Sequence, residues 1–264
     1  MTPWRGGPIH ETVTCRLCPN PGPMTLEGTN TWIISAPGAD EAVVIDPGPL
    51  DEEHLQRVLG DVAARGARVG LVLVTHGHWD HAESLERFAE LTGAPVRGNC
   101  PGAEPVADGE AFDVGGVRIT CVLTPGHTMD SVCFLLEQDR ILFTGDTILG
   151  RGTTVVAHPD GQLAAYLSSL ETLAGLASGG AVTTLAPGHG PVLTDASGTV
   201  EDYVAHRRER LVQVQEAARG SENLPRTELA DAVVASVYAD VPREVWPAAR
   251  QSVLAQLDYL ELGV

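Results

Sequence analysis

Three histidines and an aspartate, His76, His78, Asp80 and His81, crowd into six positions of "VLVTHGHWDHAES", just after an apolar run that reads as a buried strand. A loop at a strand end can turn alternate side chains toward one point, which is what a metal site requires. Downstream, "TPGHT" supplies His127, "FTGDT" supplies Asp146 and "APGHG" supplies His189, each beside a glycine and just after a strand-like run. Mixed nitrogen and oxygen donors suit zinc first, with iron or manganese as alternatives. A lone "PGH" would read as a hydrogen-bonded turn. The full set in a repeated strand-then-loop context reads as seven ligands, enough for two divalent metal ions.

Two such ions about 3.5–4 Å apart can share a water and lower its pKa toward ~7, which makes hydroxide available as a nucleophile at neutral pH. One ion would polarise a carbonyl or phosphoryl oxygen while the other steadies the hydroxide or the leaving group. Asp80 is the candidate catalytic residue, placed to take or relay a proton.

The elements that must carry these loops are legible as patterns. Strand-like segments run over 31–35, 42–45, 70–74, 117–123, 131–136 and 140–143. In "VRITCVL" the alternation of Val117, Ile119, Cys121 and Leu123 buries one face. Leu55, Val58, Leu59 and Val62 form one helical stripe that ends near Gly66, and two more helices are expected over 83–91 and 162–176. Mixed strands and helices through residue 198 imply packed sheets covered by helices. After Gly198 only helical patterns remain, over 200–218, 226–238 and 243–260. The expected division is therefore 1–198 for a catalytic domain and 199–264 for a small helical one.

The formal net charge is −18, and all 17 basic residues are arginine. A polyanionic surface disfavours nucleic acid. The absence of lysine hints at a GC-rich, bacterial coding genome. No apolar signal segment or membrane span stands out, so a cytoplasmic location and no membrane partner are expected. Five sparse cysteines read as reduced thiols, and the Cys15–Cys18 pair as packing.

"THGHWDH", "PGHT", "TGDT" and "PGHG", in that order, resemble the ligand motifs of the metallo-β-lactamase superfamily. The resemblance implies an αβ/βα sandwich in which His76, His78 and His127 hold one metal, Asp80, His81 and His189 hold the second, and Asp146 bridges them. "NPGPMTLEGTNTW", "GDTILGRGTTVV", "PGHGPV" and "YVAHRRER" further resemble the beta-lactamase-like protein 2 subgroup, with its winged-helix-like C-terminal domain. That subgroup is associated with endoribonuclease action on single-stranded RNA, while bacterial relatives are described as hydrolases or likened to glyoxalase II. Where many members place glycines after the last histidine of the first motif, this chain has Ala82, Glu83 and Ser84, and Glu83 reads as a helix start.

In the basic cluster "HRRER", His206, Arg207 and Arg210 are candidates for a substrate phosphate or carboxylate, as is Arg151. The competing reading, slightly favoured, is a solvated face paired with Glu209 and Asp202. Asn30 reads as part of a turn into a strand. Trp79 and Met129 either line the pocket or pack beneath it, and Val245, Ala249, Val253, Leu257 and Leu260 read as a core stripe. The first functional reading is hydrolysis of a small-molecule ester or thioester, which the acidic charge favours. The second is an endoribonuclease on single-stranded RNA, and the third a nonenzymatic nucleic-acid or protein-binding module. Antibiotic β-lactam cleavage is disfavoured, a one-iron persulfide dioxygenase is argued against by retention of the second ligand set, and monomer and homodimer both remain open.

Overall fold

The computed structural model describes residues 3–221 and 223–263. Two sheets face each other. The first joins, in spatial order, β1 (Gly7–Pro8), β2 (Val13–Leu17), β3 (Asn30–Ile34), β4 (Glu41–Ile45), β5 (Arg68–Leu73) and β6 (Val96–Arg97). The second runs from β11 (Thr184–Pro187) through β10 (Ile141–Gly145), β9 (Val132–Leu136) and β8 (Val117–Leu123) to β7 (Ala111–Val114). β4, β5 and β6 are mutually parallel, as are β10 and β11, and the other pairs are antiparallel.

The period of two along each strand builds three apolar layers. Trp32, Ile34, Val43 and Ile45 point inward and meet Ile119, Phe134 and Phe143 of the second sheet. Ile33, Val44 and Val72 point outward and are covered by α1 (Glu52–Ala64) and α3 (Leu85–Thr92). On the far side, Cys133, Leu142 and Leu185 are covered by α4 (Leu163–Ser178) and the first turns of α5 (Ala196–Ala218). The result is the expected helix–sheet–sheet–helix sandwich.

Gly198 lies inside the first turn of α5, so one continuous helix runs out of the sandwich into the C-terminal part. There α5 packs with α6 (Arg226–Val237) and α7 (Trp246–Tyr259) around Val214, Leu229, Val233 and Val253. The expected core stripe divides. Val253 and Leu257 are buried in this cluster, whereas Val245 and Ala249 face a cavity. Glu83 does not start a helix: it follows the single turn α2 (Trp79–Ala82), and its Oε2 accepts from the Leu50 backbone N–H at 3.0 Å. Among the described residues no helix is long and apolar enough to cross a membrane.

Candidate metal centre

Strand direction gathers the ligands at one edge of the sandwich. β4 and β5 run parallel and end just before Asp46 and Thr75, while β8, β10 and β11 run the same way and end just before His127, Asp146 and His189. Backbone ties across the edge close it: Asn30 N–H donates to Gly188 O at 2.8 Å and Val132 N–H to Thr75 O at 2.8 Å.

All seven expected ligands converge there in two groups, His76, His78, His127 and Asp146, and Asp80, His81 and His189, with the donor atoms of each group within 4.8 Å of one another. Asp146 faces both. Its Oδ1 is 3.5 Å from Nε2 of His81 and of His189, and its Oδ2 is 3.8 Å from Nε2 of His127. Asp80 Oδ2 lies 3.1 Å from His189 Nε2.

Four rings are locked from behind. Nδ1–H of His81 donates to Asp46 Oδ2 at 2.8 Å, that of His127 to Val155 O at 2.6 Å, and that of His189 to Gly28 O at 3.2 Å. His76 Nδ1 meets Thr75 Oγ1 at 3.1 Å, and that hydroxyl itself donates to Asp46 Oδ2 at 2.8 Å. This network assigns the inward lone pair of each ring to Nε2. His78 turns Nδ1 inward instead, 3.0 Å from His76 Nε2 and 3.1 Å from His127 Nε2.

Inward lone pairs this close repel unless something positive lies between them, and Asp146 Oδ1 is buried with no hydrogen-bond partner among the described residues. Gly188 leaves the space open: a Cβ there would come within 2.6 Å of His81 Cε1 and 2.7 Å of Asp146 Oδ1. The residues therefore fit divalent cations. The electrostatics agree. Burial opposes protonation of His81, yet the carboxylates of Asp46, Asp146 and Asp80 outweigh it and push the ring up to about 10. His189 also rises against burial, drawn by Asp146 and Asp80. Burial and neighbouring rings push His76 well down, and burial brings His127 to about 4. Burial works against ionisation of Asp80 and Asp146, but the facing histidines hold both carboxyls below their usual range. The cluster is thus an acidic pit demanding positive charge.

Asp46 is a functional residue that the sequence motifs did not single out. It accepts from Thr75 N–H and Oγ1–H, each at 2.8 Å, as well as from His81, and so orients ligands of both groups. A signal for it exists: in "VVIDPG" an acid directly follows a strand, with a glycine two residues on. Asp46→Ala is expected to weaken metal binding by about 10- to 100-fold, read by chelator competition, with Asp46→Asn intermediate.

A cavity of about 370 Å³ opens from this centre toward the C-terminal helices, and its lining includes His127, Asp146, Arg151, His206, Arg207 and Arg210. The solvated-face reading of the basic cluster is corrected. Arg207 is 3% exposed, lies 5.0 Å over the Tyr166 ring and donates through Nη2 to Thr154 O. Arg210 lies 4.7 Å over the Tyr238 ring and donates to Val237 O at 3.3 Å. The register of α5 against α4 and α6 turns these arginines inward. Arg151 pairs with Glu27 at 2.7 Å.

Met129 lines a separate open cleft that also reaches His78. Trp79, 59% exposed, packs beneath nothing. Asn30 is buried, and its Nδ2 ties Pro187 O and Gly190 O around His189 at 2.9 and 2.8 Å. All five cysteines are free and buried, and burial pushes their thiols up, Cys133 to about 11, so none is poised as a nucleophile.

Residues 24–99 and 101–189 match the family model "Metallo-beta-lactamase superfamily", and residues 230–262 match "Beta-lactamase associated winged helix domain". The chain is 38% identical over 197 residues to lactamase-like protein nscB of Neosartorya fischeri, covering 73% of this chain and 57% of that protein. It is 35% identical to an atrochrysone carboxyl ACP thioesterase of Aspergillus chevalieri, covering 87% and 74%. It is 31% identical to the beta-lactamase-like protein 2 homolog of Caenorhabditis elegans, covering 93% and 82%. The chain spans 57–66% of the length of several fungal lactamase-like relatives. Among solved structures, a metallo-beta-lactamase family protein of Thermus thermophilus superposes with a TM-score of 0.78 at 22% identity, covering 96% of this chain and 94% of that one.

Proposed function

The chain belongs to the metallo-beta-lactamase superfamily, and from that premise we propose that it is a metal-dependent hydrolase that cleaves the thioester bond of a small acyl substrate. The observation that carries this reading is the cavity of about 370 Å³ that begins at His127 and Asp146 and is walled by aliphatic side chains such as Leu26 and Val245. Its size lies in the range of small-molecule sites, ~300–1,000 Å³. Similarity to a protein named as an ACP thioesterase supports the choice of bond.

In this reading His76, His78 and His127 would hold one divalent ion, zinc by choice of donors, Asp80, His81 and His189 would hold the second, and Asp146 faces both ligand groups. When bound, the pair supplies Lewis acidity toward the thioester carbonyl and a water acidic enough to ionise near neutral pH. The chain's own residues do the rest. Asp80, held in the ionised form and 3.1 Å from His189 Nε2, orients the attacking water and relays its proton outward without retaining it. Asp46 and Val155 keep the histidine rings from turning as charge develops. The aliphatic walls exclude competing water from the acyl group.

Metal-loaded protein is expected to release thiol from N-acetylcysteamine thioesters, detected with a chromogenic disulfide, and to leave labelled single-stranded RNA intact. RNA cleavage that disappears in Asp146→Ala, with the thioesters untouched, would replace this reading with the endoribonuclease one.

A further inference from the structure

We propose that the acyl group carries a carboxylate at the end remote from the thioester, and that Arg207 and Arg210 grip it; the inference rests on the thioester reading above and names the class of substrate. The starting point is a mismatch of charge. In a chain of net charge −18, three arginines line one cavity of about 370 Å³, and the carboxylate in the same lining is Asp146, at the metal end. Arg151 is neutralised by Glu27. Among the described residues, Arg207 and Arg210 form no salt bridge; their partners are the carbonyls of Thr154 and Val237 and the faces of Tyr166 and Tyr238.

A buried guanidinium without a counter-ion is costly, because carbonyl and ring contacts replace only part of its hydration. Such a group persists where something else completes it. Arg207 is nearly fully buried, and its Nε is left without a hydrogen-bond acceptor. His206, on the same cavity, also has a buried Nδ1 without a partner. Burial, then the neighbouring arginines, lowers its proton affinity, leaving a neutral ring that can donate one further hydrogen bond. These unsatisfied groups call for a compact planar anion, and a carboxylate matches the guanidinium fork with two parallel bonds.

The rest of the lining fixes what joins the two ends. Met24 and Leu26 from the N-terminal part and Val241, Val245 and Ala249 from the C-terminal part add an aliphatic surface to the lining that the metal ligands and the arginines share. An acyl chain with a ring-sized apolar body would lay its thioester carbonyl at His127 and Asp146 and its carboxylate at Arg207 and Arg210.

The test compares N-acetylcysteamine thioesters of phenylacetic acid and of para-carboxyphenylacetic acid on the metal-loaded protein. Wild type is expected to favour the carboxylated thioester by about 10- to 100-fold in kcat/KM, chiefly through KM. Arg210→Gln should bring that ratio toward unity, and Arg210→Lys should restore part of it. Calorimetric titration of metal-free protein with para-carboxyphenylacetic acid reads the arginine end by itself, and its binding should also fall in Arg210→Gln. Equal turnover of the two thioesters by wild type overturns the anion site while leaving the thioesterase reading intact, and this arm decides even if the variant fails to fold. Arg210-dependent binding of the diacid with neither thioester hydrolysed supports the anion site and overturns the thioester. Cleavage of a single-stranded RNA that competes with the diacid for Arg210 overturns both.

Discussion

Asp146→Ala is expected to lower kcat/KM by about 10³-fold or more and to reduce bound metal below two ions per chain, measured by elemental analysis. The scale follows from position. Asp46 acts from behind, where losses of about 10- to 100-fold are typical, whereas Asp146 is the carboxylate that faces both ligand groups, with oxygens 3.5 and 3.8 Å from histidine nitrogens on either side. The same geometry separates a functional role from a structural one. Among the described residues Asp146 Oδ1 has no hydrogen-bond partner, and the bond that ties the residue into its loop runs from Thr154 Oγ1 to the Asp146 backbone carbonyl, which alanine retains. The metal-free variant should therefore stay folded, melting somewhat below metal-free wild type because the attraction of Asp146 to the facing His189 and His81 is lost, so the missing metal and activity are read in folded protein. A variant that keeps both ions and more than a tenth of the activity would remove Asp146 from the centre.

The ligands are legible in the sequence because their signal is local. His76, His78, His127, Asp146 and His189 each sit within a few residues of a strand end and beside a glycine, and Asp80 and His81 follow in the first of these loops, so spacing carries the geometry. Asp46 also follows a strand end but lacks the adjacent glycine that marks Asp146, and the strand ending at Ile45 brings no histidine. Short strands are illegible for a different reason. β1, β6 and β11 have 2, 2 and 4 residues and owe their existence to pairing with longer neighbours, so no period can develop within them. The arginines of α5 fail in a third way. Their surroundings, Tyr166, Thr154 and Tyr238, come from distant parts of the chain, and an i, i+4 pattern states which residues share a face without saying what that face meets. Val245 and Ala249 repeat the lesson, as their stripe leaves the core where a cavity begins.

Truncation after Asp195 is expected to abolish metal retention and soluble folding together, because the C-terminal helices are part of the support of the centre. Residues 149–157 form no helix or strand, yet this strap touches three ligands: Thr154 Oγ1 donates to Asp146 O, Val155 O accepts from His127 Nδ1 at 2.6 Å, and Gly150 N–H donates to His189 O at 2.9 Å. Its other side is pinned from α5 and α7. Leu149 N–H donates to Tyr203 Oη at 2.9 Å, Arg207 donates to Thr154 O, and Val156 N–H donates to Ser252 Oγ at 3.1 Å. Deleting the helices also strips Ala196, Val200, Tyr203 and Ala255 from the apolar layer over the second sheet. Milder variants separate support of the strap from simple loss of core. Ser252→Ala removes only the hydroxyl and leaves Val156 N–H buried and unpaired, at a cost of about 1–3 kcal/mol. If the helices hold the ligands through the strap, that variant should remain folded and lose metal to a chelator faster than wild type. Unchanged metal release in a folded Ser252→Ala and a folded Tyr203→Phe would confine the helices to covering the sheet.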